Sequence, residues 1–353
     1  MYGALDIGGT KIAGAVVDAK GDLLVRAERP TPAHGRAEAV MAAVTAVMND
    51  LSAHAVWPLV SCLGIGSAGP VDTVAGTVSP VNIAAWRGFP LVAEVASHPA
   101  LPTGIRPVLV GDAVAMTAAE HWKGAARGVA NALCMVVSTG VGGGLVLDGR
   151  LHTGITGNAG HIGHISVDLN GEHCPCGSRG CVELLASGTA IARRALASGW
   201  LPPAGAEPTA AHVADSALNG DSIALAVFDQ AAQALAASIA ATATLVELDV
   251  VVIGGGVAQA EDLLFAPLRR HLATYAALSF THGLDVRPSQ FALDSGLIGA
   301  AAVASAVLGV LPAEARTPVD ELRSERASDL QSARARRKST GMSRGQDSSP
   351  VAH

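Results

Sequence analysis

The chain is short of large rings, of charge and of cysteine. Only 3% of its 353 residues are aromatic, so any sizeable core must be assembled from Ala, Val, Leu and Ile, and half of all residues are hydrophobic. Charged residues make up 15%, and 24 basic against 30 acidic side chains leave a net charge of −6, which excludes a body that coats nucleic acid. Five cysteines are too few for a disulfide framework. The N-terminus MYGALDIGGTK enters an apolar strand pattern with no basic region or cleavage site. No apolar stretch reads as a membrane span. Leu51 to Val71 is broken by His54, Pro58 and glycines, while the Ala-rich run from Gln230 to Val246 is dotted with Gln, Ser and Thr in the manner of a buried helix. These absences predict a soluble cytoplasmic protein with neither nucleic acid nor membrane as partner.

What cysteine there is lies in one place. Cys174, Cys176 and Cys181 follow His164 in the run HIGHISVDLNGEHCPCGSRGCVE, with Gly177 and Gly180 between the last two. One imidazole and three thiolates make the closed tetrahedral shell of a structural Zn²⁺, with no open position for a water. A disulfide between two of the three is the alternative, and a C-x-C pair is poorly placed to bridge itself.

Two segments share one plan. Ala4 to Asp18, ALDIGGTKIAGAVVD, and Cys134 to Asp148, CMVVSTGVGGGLVLD, each read as two apolar strands joined by a glycine-rich turn with a hydroxyl residue. Such turns expose backbone N–H groups that suit a polyphosphate, although either alone is equally a plain hairpin turn. Together they point to a nucleotide: Gly8, Gly9, Thr10 and Lys11 in the first turn, Thr139, Gly140, Gly142 and Gly143 in the second, and Asp6 placed to reach Mg²⁺ or its waters. A third cluster, Gly254, Gly255 and Gly256, follows a strand-like run and precedes a helix-like one, which suits a flat adenosine; the G-x-G-x-x-G spacing of a dinucleotide site is not met.

The loop SPVNIAAWRGFPL holds Asn82 and Trp86, an amide and a ring of the kind that bind carbohydrate, with ordinary packing of the Trp as the alternative. Asp112 stands between the short strand Val108 to Val110 and a helix-like segment, either as a helix cap or as a base that takes a proton from a sugar hydroxyl. From about Thr317 to His353 apolar residues thin out and ARARRKSTGMSRG carries five basic residues without an acid, the composition of a disordered tail.

Jointly these motifs resemble the ROK family (repressors, open reading frames, kinases) of actin-like sugar kinases, over about residues 3 to 310. LDIGGTK resembles the family's first phosphate loop and STGVGGG its second. IGGG with Gly296-Leu297-Ile298-Gly299-Ala300 resembles its adenosine-side motifs, and GHIGH followed by CPCGSRGCVE its zinc signature. The resemblance implies an α/β fold, actin-like (ribonuclease H-like), with two domains and a cleft between them. Residues 1–120 plus 294–312 would form the smaller, 121–293 the larger, and 313–353 a tail. It implies an ATP-dependent kinase that phosphorylates a hexose or N-acetylhexosamine at the 6-hydroxyl, with ATP, Mg²⁺ and structural Zn²⁺ as cofactors and a homodimer as the assembly. Asp112 matches the catalytic aspartate; Asn82, His161, His164 and Glu183 match sugar-binding positions; His164, Cys174, Cys176 and Cys181 match the zinc ligands.

Two positions depart from the family's pattern: His161 stands where Glu is usual, and Gly111 where Asn is usual before the catalytic Asp. A donor at His161 would suit the carbonyl of a 2-acetamido group, which favours N-acetylglucosamine or N-acetylmannosamine over glucose. The competing readings are a sugar-responsive repressor, which needs a helix-turn-helix ahead of the first loop where only five residues precede Asp6, and a catalytically silent sugar-binding protein.

Overall fold

The structure, a computed structural model, describes residues 1–291 and 294–307. The expected tail lies outside the described residues, as does the end of the segment assigned to the smaller domain.

The first apolar hairpin forms as the sequence indicates. Strands β1 (Tyr2–Ile7) and β2 (Lys11–Val17) run antiparallel, and the turn is closed by the Gly8 amide on the Lys11 carbonyl at 3.0 Å. Strand β3 (Leu23–Pro30) alternates between half-buried and exposed residues, as an edge strand should. Helix α1 (Ala37–Ser52) buries Val40, Val44, Val47, Met48 and Leu51 on one face. Strand β4 (Cys62–Ser67) is buried throughout. Next come the small pair β5 (Val71–Asp72) and β6 (Thr77–Val78), helix α2 (Leu91–Ala96), strand β7 (Val108–Gly111) and helix α3 (Asp112–Trp122). The sheet order is β3-β2-β1-β4-β7, with β1, β4 and β7 parallel. Ile7, Ser67 and Gly111 thus end three adjacent strands on one edge, the edge where parallel sheets place their sites.

The second half repeats the order β10-β9-β8-β11-β12. Strands β8 (Ala132–Val137) and β9 (Val141–Leu147) form the second glycine-turn hairpin, extended by β10 (Arg150–His152). Four helices follow: α4 (Glu183–Ala186), α5 (Gly188–Ala197), α6 (Ala210–Leu218) and α7 (Ser222–Val246). Strand β11 (Val250–Gly254) lies parallel to β8; after α8 (Asp262–Tyr275), β12 (Asp285–Pro288) adds to the parallel edge. Helix α7 is long and apolar enough to cross a membrane by composition, but 61% of its most apolar window is buried here, the mark of a core helix.

Each sheet carries its own apolar cluster, one around Leu5, Ile65 and Trp86, the other around Leu133, Phe228 and Ile253. The last helix, α9 (Ser295–Val307), returns to the first sheet. A side chain at Gly64 would collide with the Ala300 backbone and one at Gly299 with that of Ala115, so glycine lets α9 lie directly on β4 and α3. Helix α3 therefore packs between α9 and the second sheet, with Asp112 at its first residue.

Candidate functional site

Asp6 is the last residue but one of strand β1, within the electrostatic reach of two other acids. Burial and the nearby charges of Asp112 and Asp294 push its pKa up to about 6 against the pull of Lys11. A buried carboxylate facing two more invites a cation, and Gly296, in the first turn of α9, lies directly against it. The donor set suits a hard divalent ion such as Mg²⁺.

Asp112 is the first residue of α3, where the helix dipole favours negative charge. It is exposed to solvent, yet the protein packed around its carboxyl desolvates it and raises its pKa; the Ala113 amide and neighbouring His161 pull the other way. Its Oδ1 accepts from the Ala113 amide at 2.7 Å, one residue on. A capping aspartate bonds two or three residues on, so the cap is not the role seen here, and Oδ2 stays open to a ligand.

Asn82 is exposed, with its amide pressed against Gly9 so closely that a Cβ there would overlap it. The sugar-side loop and the first glycine turn therefore touch. Trp86 is a correction: it is fully buried, stacked on Phe89 with ring centroids 4.4 Å apart, and donates Nε1–H to the Ala37 carbonyl at 3.3 Å. It is core, not a platform for sugar.

His161 is fixed through one ring nitrogen. Its Nδ1 lies 2.9 Å from the Asn158 carbonyl oxygen, which can only accept, so Nδ1 carries the proton. Nε2 is then an acceptor when the ring is neutral, as the oxygen of a Glu would be, and a donor when the ring is protonated. Asn158 carried no signal of its own in the sequence. Its side chain also clasps the Val71 backbone, accepting from N–H at 3.1 Å and donating to C=O at 2.6 Å, across 87 residues that no local pattern spans.

Glu183, first residue of α4, accepts from the Val141 amide through Oε2 at 2.8 Å and lies over Gly140. One oxygen of this expected sugar ligand thus holds the second glycine turn. Thr189 holds the same turn, its hydroxyl donating to the Thr139 carbonyl at 2.8 Å, and Gly188 N–H donates to the Ser138 carbonyl at 2.7 Å. The third glycine cluster sits beside this turn: Gly255 has φ +93° and lies against the Val137 backbone, an approach closed to any side chain.

Two residues before Glu183, the chain returns Cys181 to the metal-ligand cluster. The ligand atoms of His164, Cys174, Cys176 and Cys181 all lie within 4.8 Å of one another. Cys176 Sγ and Cys181 Sγ are 3.8 Å apart, as are Cys174 Sγ and His164 Nδ1. A tetrahedral ion with Zn–S bonds of about 2.3 Å spaces its sulfurs by about 3.8 Å, whereas a disulfide needs about 2.05 Å. All three cysteines are free thiols. Burial raises the Cys174 thiol and pushes Cys181 up to about 12, while a backbone N–H from Ser178 lowers Cys176. Two of the three sulfurs therefore need a cation to ionise, and the set fits zinc.

Comparison with known proteins agrees with this geometry. The ROK family pattern matches residues 2–307. A glucokinase of Thermotoga maritima is 35% identical over 86% of this chain and 97% of its own length. An N-acetylmannosamine kinase of Yersinia pseudotuberculosis is 38% identical over 86% of this chain and 98% of its own. The crystal structure of a ROK family glucokinase from Streptomyces griseus, in complex with glucose and AMPPNP, superposes with a TM-score of 0.73 at 32% identity, covering 86% of this chain and 99% of that one. The actin-like two-domain α/β fold is shared with these neighbours, and the chain belongs to the ROK family.

Proposed function

We propose that this chain transfers the γ-phosphoryl group of ATP to the 6-hydroxyl of a hexose or N-acetylhexosamine, with Asp112 as the general base. The chain is an ATP-dependent sugar kinase, like the glucokinase and N-acetylmannosamine kinases it resembles over most of its length. The observation that carries the base assignment is Asp112 itself: a carboxylate of raised pKa at a helix start, one oxygen held by the Ala113 amide and the other open.

The sugar O–H gives its proton to Asp112 Oδ2 as its oxygen bonds to the γ-phosphorus; the bond from that phosphorus to the β,γ-bridging oxygen breaks and ADP leaves. Asn82, Nε2 of His161 and the free oxygen of Glu183 hold the other sugar groups. The turns at Gly8–Lys11 and Thr139–Gly143 supply N–H groups to the phosphates, and Gly254–Gly256 face the adenosine. Asp6 would hold Mg²⁺ or its waters, and the bound ion would neutralise developing phosphate charge. His164, Cys174, Cys176 and Cys181 would hold Zn²⁺, whose closed shell supplies no chemistry and braces the loop that ends at Glu183. We keep the domain limits at 1–120 with 294–312 and 121–293, with catalysis between them, in a cytoplasmic homodimer.

An ADP-release assay over glucose, mannose, N-acetylglucosamine and N-acetylmannosamine, with Asp112→Asn beside the wild type, tests this reading. We expect sugar-dependent release that falls at least about a thousandfold in the variant. Equal release by both proteins would remove Asp112 as the base. A donor at His161 favours the acetamido sugars, with glucose close behind, and a strong preference for plain glucose would count against it; His161→Phe should lower turnover on every sugar.

A further inference from the structure

Only two chain segments join the elements of the first sheet to those of the second among the described residues: the passage from α3 to β8 and the passage from β12 to α9. Glu120, fully buried in the last turns of α3, bonds to both. Its Oε2 accepts from the Ala125 amide at 2.7 Å in the first passage. Its Oε1 accepts from the Ser289 hydroxyl at 2.5 Å and from the amides of Gln290 at 3.0 Å and Phe291 at 3.4 Å in the second. Arg287 Nη1 completes the junction by donating to the Ala125 carbonyl at 2.8 Å. Four donors meet this buried carboxylate, one at Oε2 and three crowded on Oε1, so both oxygens are engaged.

The link goes further. Ser289 N–H donates to the Ile253 carbonyl at 2.9 Å, and its Cβ lies so near Gly254 that any side chain there would press on it. Ile253 and Gly254 end β11 at the third glycine cluster. A continuous path therefore runs from Asp112 along α3 to Glu120, across to Ser289, and into the turn assigned to adenosine. The helix spans about 12 Å between its two acids at about 1.5 Å per residue, and a helix of this length is stiff.

We infer that Glu120 is a positioning residue of the phosphoryl transfer, fixing the separation between the base on α3 and the nucleotide turn at Gly254–Gly256 by tying both interdomain passages to one carboxylate. This rests on the reading of Asp112 as base. Near-attack geometry tolerates little error, so a looser junction should lower turnover more than affinity. Gly124 belongs to the same device: a side chain at that position would overlap the Glu120 carboxylate.

The test compares the full-length wild type with Glu120→Gln, Ser289→Ala and the double variant, reading kcat, the sugar KM, thermal stability and amide hydrogen exchange of residues 123–131 and 289–291. The Gln side chain keeps the shape but must turn its NH₂ toward donors, so at least one bond is lost. We expect kcat to fall about tenfold or more in Glu120→Gln and about threefold in Ser289→Ala, with the sugar KM within about twofold of wild type and faster exchange confined to the two passages. The two substitutions should be non-additive, because they cut the same link. Wild-type kcat in Glu120→Gln with only a lowered melting temperature would overturn the inference, as would additive losses. If Glu120→Gln fails to fold, an unchanged kcat in Ser289→Ala overturns it equally. Asp112→Asn separates the two readings: turnover retained in that variant would remove the base, while coupled exchange at 289–291 would still report the Glu120 link.

Discussion

The two glycine turns share a plan and differ in how they are held. The first is closed by Gly8 on Lys11, is tied from outside, among the described residues, only by Thr31, through Gly8 and Thr10, and brings its own charges: Asp6 before the turn and Lys11 after it. The second, closed by Ser138 on Gly140, has no charged residue between Cys134 and Leu147 and takes more of its support from outside, by Glu183 on Val141, Thr189 on Thr139 and Gly188 on Ser138. Under the proposed function, the difference would divide the labour of binding a triphosphate. A turn that carries its own acid and base can handle cation and charge, whereas an uncharged turn offers only N–H groups and depends for its shape on neighbours, here on a residue two positions beyond the proposed ligand Cys181.

Breaking the charged turn should have the largest effect. Asp6→Asn is expected to lower kcat by about a hundredfold to a thousandfold while leaving the sugar Kd near its wild-type value; a change of less than threefold would show that Asp6 is not the cation's anchor. The same residue predicts a pH dependence. Asp6 has a pKa of about 6 in the folded protein against 3.8 ordinarily, so its contribution favours folding below the lower value and is lost as pH rises through about 6. Cation binding reverses that loss by favouring the ionised form. The rise in melting temperature on adding MgCl₂ should thus be larger at pH 7.5 than at pH 5 in the wild type and flat with pH in Asp6→Asn. An equal rise at both pH values would place the ion elsewhere.

Breaking the supported turn works at a distance. Removing the metal from the His164, Cys174, Cys176 and Cys181 cluster with a chelator, or substituting Cys176→Ser, should free the chain around Glu183 and raise the KM for ATP together with that for sugar, about tenfold to a hundredfold, with a lower melting temperature. Glu183→Gln should reproduce the ATP part of this at about tenfold, since it weakens one charge-assisted bond to the turn. Metal-free protein with unchanged KM values would cut the proposed line from zinc loop to nucleotide.

How much of this was legible in the sequence depends on the distance over which each contact acts. Both hairpins, the His164–Cys181 cluster and the strand-to-helix junction at Asp112 are local, so period, glycine and cysteine spacing exposed them directly. Trp86 was misleading because an aromatic residue in a loop has the same sequence signature whether its ring faces solvent or, as here, stacks on Phe89. The proton position on His161 depends on a backbone carbonyl, which every residue has and no side chain announces. Glu120 lay hidden for the same reason: its partners Ser289 and Gln290 are 169 and 170 residues away, and an acid near the end of an amphipathic helix is ordinarily just a solvated charge.

The smallest effects should sharpen the contrast between the turns. Thr31 donates to the Gly8 carbonyl at 2.7 Å in a partly buried setting; Thr189 donates to Thr139 at 2.8 Å in an exposed one. Valine at either site keeps the shape and deletes the hydroxyl. Thr31→Val should lower stability by about 1 kcal/mol, because the carbonyl loses a partner that water replaces poorly, yet leave the ATP KM nearly unchanged, since the first turn is closed by its own strands. Thr189→Val should cost less stability, because water replaces the lost bond, and should raise the ATP KM about threefold, because the second turn loses one of its few ties. The crossed pattern, measured by denaturant titration and by steady-state kinetics on the same two proteins, separates a self-supporting turn from a supported one. Parallel changes in both quantities would mean that the two turns are held alike.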